Sequence, residues 1–181
     1  MDIITAVLTR RSASALGAPA PGDEEFRYLL KGAATAPDHG RLRPWRWILV
    51  RGDGLTAVAD CLADEDPAAD REQLVSSVVR APLKAMLVFT PHVGHRIPEW
   101  EQLAAASTMT YSLMLLLHGR GYSSKWRTGR LCTSEALRVR LGLAEQERLL
   151  GALDIGTPDP SAVPSARRAP MDVSDRVAVF G

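Results

Sequence analysis

One long segment, residues 99–119, sets the strongest constraint on how this chain can fold. Pro98 suits the start of a helix, and Gly119 and Gly121 suit its end. Apolar side chains cover more than one face of the predicted helix: Leu103, Ala104, Ala105, Ala106, Met109, Leu113, Met114, Leu116 and Leu117. Since a helix that is apolar nearly all round is buried, we expect it in a core or in a subunit interface.

The remaining pattern alternates shorter helices with a few strands. Apolar spacing predicts helices over residues 2–10, 23–36, 55–64, 70–80 and 134–141, with Asp23 as the N-cap of the second. Strands are predicted over residues 45–50, 84–90 and 149–155, with a possible final strand over 177–180. Because the chain has 181 residues and a typical domain has ~150, we expect a single α+β domain spanning residues 1–181.

Charge and cysteine content narrow the class of protein. A formal net charge of +1 argues against a nucleic-acid surface, which needs a large basic excess. Cys61 and Cys132 form no metal-binding spacing, and the longest purely apolar run, Leu113–Leu117, is far too short to span a membrane. The first eleven residues do not have the charge order of a secretory signal. We therefore expect a cytoplasmic protein without a nucleic-acid or membrane partner.

Several common catalytic motifs are missing from the sequence. No strand is followed by G-x-G-x-x-G, and there is no Walker A pattern or G-x-S-x-G elbow. His92 and His95 lie in a Pro/Gly loop with few acidic neighbours, so we expect no metal site. These absences leave two clusters of polar residues as candidates for a binding site.

Each cluster has a functional and a structural interpretation. Arg10, Arg11 and Ser12 follow the first helix and could bind a phosphate, or the arginines could simply cap the helix end. The segment 126–129 offers Trp126, Arg127 and Thr128 to a ligand, or Trp126 could fill the core. Together with the loop 37–40, these segments could line a site for a planar phosphorylated cofactor.

At these residues the sequence resembles the nitroreductase-like family of FMN-dependent oxidoreductases, and within it the small single-domain NAD(P)H nitroreductases. The resemblance extends over roughly residues 1–160 and rests on the order and spacing of several short motifs. These are Arg10-Arg11-Ser12, Ala36-Pro37-Asp38-His39, Pro44-Trp45, Arg80-Ala81-Pro82, Pro98-Glu99-Trp100-Glu101-Gln102, Gly121-Tyr122, Trp126-Arg127-Thr128-Gly129 and Ile155-Gly156-Thr157-Pro158.

The resemblance implies a mixed sheet flanked by helices, assembled as an intertwined homodimer with FMN at the dimer interface. It implies cofactor contacts from both subunits: Arg10, Arg11, Ser12, Trp126, Arg127 and Thr128 of one, and Thr35 and His39 of the other. The tail 158–181 could be exchanged with the partner subunit. Within it, Arg167 or Arg168 could reach the phosphate, or the tail could be solvated.

The resemblance also implies a reaction. NADH or NADPH would reduce the flavin, and a nitroaromatic or quinone-like acceptor would then take its place in a ping-pong scheme. Such a scheme requires no catalytic side chain, and we assign none. Three alternatives stay open: a flavin store or sensor without turnover, a specialised flavin oxidase or dehalogenase on the same fold, and a helical interaction protein without a cofactor.

Overall fold

The computed structural model describes residues 1–13, 15–66, 68, 70–159 and 171–180. Helices and strands follow one another along the chain as α1 (Ile3–Thr9), β1 (Leu16–Gly17), α2 (Asp23–Ala33), β2 (Trp45–Val50), α3 (Asp53–Asp64), α4 (Arg71–Val79), β3 (Leu83–Phe89), α5 (Glu99–Gly119), β4 (Ser123–Arg127), α6 (Arg130–Thr133), α7 (Glu135–Arg140) and β5 (Arg148–Pro158). Short 3-10 turns cover His39–Arg41 and Ser174–Arg176.

The strands form one sheet in the order β4-β5-β3-β2, and β1 pairs with the end of β5. Every strand pair in the described part of the chain is antiparallel. The α+β fold expected from the resemblance is confirmed, although the pairings described within one chain are antiparallel and not mixed. β3 is buried along its whole length because both faces of the sheet are covered.

Two layers of helices cover the sheet. On one face α2 and α5 pack against a core that includes Leu83, Leu87 and Leu153, with the Phe26 ring edge-on to Trp47 at 5.9 Å. On the other face α3, α4 and α7 contribute to a second core around Met86, Val88 and Ala152. Alternate residues of β3 therefore belong to different cores, as the period of two in a strand requires.

The sequence predicted the long elements well and the short polar ones poorly. The helix over 99–119 and the strand over 45–50 are found as expected. Asp23 is not the N-cap of α2; Gly22 holds that position, and Asp23 begins the helix, where its charge favours the helix dipole. The possible strand over 177–180 is wrong, because these residues are exposed and form no strand. The sequence analysis also missed β1, β4 and α6.

Candidate functional site

Arg10 lies where α1 ends and carries the most informative atom of the site. Its backbone leaves the helix at φ −54° and ψ 128°, directly after Thr9. Its Nη1 is buried and has no hydrogen-bond partner among the described residues. The other two buried side-chain atoms of this kind, on Trp47 and Ser124, are uncharged. A buried charged donor without an acceptor costs about 1–3 kcal/mol or more, so Arg10 is suited to receive an anion.

The two neighbours of Arg10 have different surroundings. Arg11 donates from Nη1 to the carbonyl oxygens of Leu8 at 2.8 Å and Arg10 at 2.9 Å, which is the helix-end role considered for it above. Ser12 is exposed. Among Arg10, Arg11 and Ser12, Arg10 is thus the residue with a buried guanidinium nitrogen that lacks a hydrogen-bond acceptor.

His118, near the end of α5, completes the surroundings of Arg10. Its Nε2 lies 2.9 Å from the Thr9 hydroxyl. Burial lowers the pKa of His118 below its ordinary value, and the nearby Arg10 and Arg11 charges lower the pKa further. The contribution of the two arginines shows that Arg10 and Arg11 place positive charge close to the His118 ring.

Thr35 and His39 lie beyond the end of α2. The Thr35 hydroxyl donates to the Gly32 carbonyl oxygen at 2.8 Å, and both side chains are exposed. His39 Nδ1 lies 2.7 Å from an Oε2 atom of Glu101, which belongs to the first turn of α5. His39 is therefore oriented by a carboxylate on the helix at the opposite end from His118.

The loop that follows His39 has an unusual backbone. Gly40, Arg41 and Arg43 have φ values of 73°, 53° and 48°, in the left-handed region. Glycine suits Gly40 because a Cβ there would lie 2.6 Å from Ile97 Cδ1 and would force that side chain to move. For the two arginines this conformation costs of order 1–3 kcal/mol each, and such strain tends to cluster at functional sites.

Asp38 and His92 hold this strained loop in place. The Asp38 carboxylate accepts hydrogen bonds from the backbone amides of Leu42 at 3.2 Å and Arg43 at 2.7 Å. His92 Nε2 lies 3.0 Å from the Leu42 carbonyl oxygen, and the Gln102 side chain bonds to the backbone of His92 and Ile97. The loops 38–43 and 91–98 thus form one connected surface.

Trp126 and Thr128 lie on and just beyond β4, where the sequence had indicated a loop. The indole Nε1 of Trp126 donates to the Leu150 carbonyl oxygen at 3.1 Å, and the ring packs against the first core. Gly151 makes this possible, because a Cβ there would lie 2.7 Å from that Nε1. Thr128 is exposed. Trp126 therefore fills the core, as the structural interpretation of this segment expected.

Arg127 belongs to a buried charge cluster that sequence reasoning missed. Its Nε donates to Asp154 Oδ2 at 3.0 Å, while the other Asp154 oxygen accepts from Lys84 Nζ. The side chains of Lys84 and Asp154 are 2% and 5% exposed, against 33% for Arg127. The available signal was one charged residue within each of two apolar strands, since Lys84 and Asp154 are directly paired across β3 and β5.

Arg127 also faces an open cleft of about 420 Å³ beside α4. The other residues that line this cleft are Asp70, Gln73, Leu74, Ser76, Ser77 and Arg80, so it presents both signs of charge.

No described hydrogen bond or ion pair joins Arg10, His39 and Arg127 to one another. Arg10 lies by His118 and His39 by Glu101, and these two partners are 17 residues apart on α5. At about 1.5 Å per residue the two ends are separated by roughly 26 Å. A single chain therefore presents two separate candidate clusters at opposite ends of one helix. We call Arg10 with His118 the Arg10 half-site, and His39 with Glu101 the His39 half-site.

The described residues contain no group of three or more metal-binding side chains. Within the same part of the chain, no helix is both long and apolar enough to cross a membrane. The metal-free site expected from the sequence remains a prediction.

The α+β fold and the sequence both match a known class of protein. A sequence model of the Nitroreductase family matches residues 7–157, and this chain belongs to that family of oxidoreductases. "Putative NAD(P)H nitroreductase YdjA" of Escherichia coli K12 is 32% identical over 165 residues, which cover 87% of this chain and 89% of that protein. A Haemophilus influenzae protein named in the same way is 32% identical over 167 residues, with the same coverage.

Solved structures agree on the fold. The nitroreductase-like family protein from Bacillus cereus superimposes with a TM-score of 0.87 at 23% identity, covering 99% of this chain and 96% of that one. NfnB from Sphigopyxis sp. strain HMH, described as an FMN and NADPH-dependent nitroreductase, gives 0.78 at 22% identity with full coverage of both chains.

Proposed function

We propose that this protein is an FMN-dependent oxidoreductase that uses NADH or NADPH to reduce nitroaromatic or quinone-like acceptors by a ping-pong mechanism. Membership of the Nitroreductase family and the relatives' names support the oxidoreductase class. The FMN dependence printed for NfnB supports the choice of cofactor. Free Cys61 and Cys132 among the described residues fit a cytoplasmic location, where thiols stay reduced.

The unpartnered Arg10 Nη1 is the observation that carries this proposal. A phosphate monoester supplies oxygen acceptors with negative charge, which matches a guanidinium better than any neutral group. Burial is the main cause that lowers the pKa of His118, and the Arg10 and Arg11 charges lower it further, which places both cations close to the same ring. The residues present therefore fit the phosphate of FMN, with Arg10 as its principal contact and Arg11 and Ser12 beside it.

The separation along α5 supports a site shared by two copies of the chain. Glu101, the partner of His39, lies roughly 26 Å along that helix from His118, the neighbour of Arg10. His39 is therefore better placed to face the flavin bound by a second copy, and the family resemblance implies the same role for Thr35. In this homodimer each flavin site combines the Arg10 half-site of one chain with the His39 half-site of the other.

Bound FMN would supply the redox chemistry, accepting reducing equivalents from the dinucleotide and passing them to the acceptor. The chain's own task is to bind and orient it. Arg10 neutralises the phosphate, Glu101 orients His39, and Asp154 orients Arg127. Because the half-buried Trp126 ring packs against the core and its Nε1 bonds to the Leu150 carbonyl oxygen, we expect its backbone and neighbours to meet a ligand.

An absorbance spectrum tests the cofactor and the turnover together. The purified protein should be yellow, and NADH or NADPH should bleach the flavin band anaerobically. A nitroaromatic or quinone should then restore the band. A colourless protein that takes up no added FMN would overturn the proposal, and a flavin that neither dinucleotide bleaches would favour the store or sensor alternative.

Substituting Arg10 tests the phosphate contact directly. Arg10→Ala should weaken FMN binding by about 10- to 150-fold, since a hydrogen bond to a charged group contributes about 1.5–3 kcal/mol. Fluorescence titration of the apoprotein with FMN measures the change. Arg140→Ala, at an exposed arginine on α7, serves as the control and should bind FMN like the wild type. Equal affinity of the Arg10 variant and this control would contradict the role of Arg10.

A further inference from the structure

We propose that Arg41 and Arg43, with Arg96 on the adjoining loop, bind the 2′-phosphate of NADPH and so make the enzyme prefer NADPH over NADH. This inference rests on the proposed function, because it requires a dinucleotide that reduces the flavin. The sequence contains no known motif for this phosphate, so the assignment comes from the loops as the structure arranges them.

The three arginines are the uncompensated cations of the surface formed by loops 38–43 and 91–98. All three are exposed, and their side chains have no ion pair or hydrogen bond within the described part of the chain. Some arginines elsewhere are paired with carboxylates, as Arg51 is with Asp23 and Arg120 with Glu25. Arg27 and Arg140 are exposed without an ion pair in the described part of the chain, but each lies on a helix and not on this loop surface.

The carboxylates nearest in sequence to these loops already have partners. Asp38 accepts two backbone amides of its own loop. Glu101 pairs with His39, and Glu99 pairs with Arg148. The positive charge of Arg41, Arg43 and Arg96 is therefore left to a ligand or to counterions.

The backbone beneath these arginines is fixed in advance. The Asp38 carboxylate and His92 hold Leu42, which lies between Arg41 and Arg43, from both sides. Ile97, next to Arg96, is 3% exposed and packs against Gly40. Loops 38–43 and 91–98 thus form a rigid platform, which loses less conformational entropy on binding a ligand than a flexible loop does. The left-handed backbone of Arg41 and Arg43 is part of this platform before any ligand binds.

The chemistry of the reactants selects the occupant. The acceptors of the proposed reaction, nitroaromatics and quinones, can be uncharged and do not require a group of guanidinium ions. NADPH differs from NADH by one phosphate monoester, and arginine is the side chain that accommodates this phosphate in other folds. The loop begins at His39, which the proposed function places against the flavin of the second copy. The platform thus lies beside the site that the dinucleotide must enter.

Steady-state kinetics with the flavin-loaded enzyme test the assignment. The wild type should have a higher kcat/KM with NADPH than with NADH. Arg41→Ala and Arg43→Ala should each lower kcat/KM for NADPH by about 10-fold or more, chiefly through KM, and leave the value for NADH within about twofold. Arg41→Lys should recover part of the loss, because lysine keeps the charge without the bidentate geometry. Arg140→Ala, on the opposite helix layer, should change neither value.

Adenosine 2′,5′-bisphosphate and AMP provide a probe that does not depend on turnover. The bisphosphate should bind the wild type more tightly than AMP, and the Arg41→Ala, Arg43→Ala double variant should remove that difference. Flavin content should be the same in all of these variants.

The failures of the two proposals can be told apart. Equal losses with NADH and NADPH, or no loss with either, in a yellow and active enzyme would overturn the phosphate assignment alone. A wild type that binds no FMN or oxidises neither dinucleotide would overturn the proposed function and this inference with it.

Discussion

At the scale of single residues, the buried charges of Lys84 and Asp154 are the least expected feature of the molecule. Both are buried within largely apolar strands, and burial of an isolated charge is strongly unfavourable. Each is tolerated because Asp154 accepts hydrogen bonds from Lys84 on one oxygen and from Arg127 on the other. The hydrogen bond to Asp154 also orients the side chain of Arg127, which lines the cleft beside α4.

Removing the shared carboxylate should therefore destabilise the protein strongly. Asp154→Asn leaves Lys84 buried without a counter-charge, and breaking a buried pair in this way costs about 3–5 kcal/mol. Urea unfolding measures the loss. The control is Glu135→Gln, which removes a helix-surface pair with Arg138 and should change stability by less than about 0.5 kcal/mol.

A double substitution separates the loss of a pair from the loss of packing. Lys84→Met with Asp154→Leu replaces both charges by apolar groups and should restore most of the stability lost in Asp154→Asn. If the single and double variants are equally unstable, the cost would not come from the unpaired charge of Lys84.

At the scale of elements, one bidentate ion pair connects the edge strand β2 to the turn before β5. Arg46 donates from Nε and Nη2 to the two Glu147 oxygens, each at 2.7 Å, and Glu147 also accepts the Ala144 amide. The hydrogen bonds from Arg46 are the main cause that lowers the pKa of Glu147 below its ordinary value. Since the folded pKa lies below the unfolded one, this stabilisation is complete above the unfolded pKa and disappears as the pH falls through the folded pKa.

Glu147→Gln should thus be less stable than the wild type at pH 7 but not in acid. A difference of about 1 kcal/mol is expected at pH 7, because Arg46 is partly solvated and the pair is screened. Denaturant unfolding at several pH values should show the two proteins converging below the ordinary glutamate range. A difference that persists unchanged into acid would mean that the Gln side chain disturbs packing and that charge is not the cause.

The elements that could be predicted from sequence are those whose own residues determine them. The helix α5 has Pro98 before it, a glycine at its end and apolar residues throughout, so its bounds follow from local signals. β4, with the sequence Ser-Ser-Lys-Trp-Arg, has no such pattern and is a strand because it pairs with β5. The same limit applies to the site: the Arg10 and His39 segments could be chosen from sequence, whereas the link between Lys84 and Asp154 requires the strand register.

At the scale of the whole molecule, a large apolar surface has no partner within the described part of the chain. One face of α5 is accessible from Trp100 to Tyr111, where Trp100, Leu103 and Tyr111 are exposed by 68%, 38% and 42%. Helix α1 also exposes apolar side chains, namely Ile3, Ile4, Val7 and Leu8. The sequence expected α5 in a core or in an interface, and the structure buries one side of it and leaves the other side to a second copy in the proposed dimer.

The centre of this α5 face suits close contact between two symmetric helices. Ala104, Ser107 and Thr108 are small, and they lie between Leu103 and Tyr111 at the three- and four-residue spacing of one helix face. In a twofold interface the same surface meets itself, so one substitution acts twice. A long cationic side chain on such a surface would be buried away from water, next to the same side chain of the second copy.

Tyr111→Arg should therefore convert the proposed dimer into monomers and reduce the flavin content with it, because each proposed site takes residues from both chains. Analytical ultracentrifugation measures the mass, and the ratio of flavin to protein absorbance measures occupancy. Val139→Arg, at a more exposed apolar residue on α7, is the matched control and should remain dimeric and yellow. A monomeric Tyr111→Arg protein that still binds one FMN per chain with wild-type affinity would contradict the shared site, since the Arg10 half-site would then suffice alone.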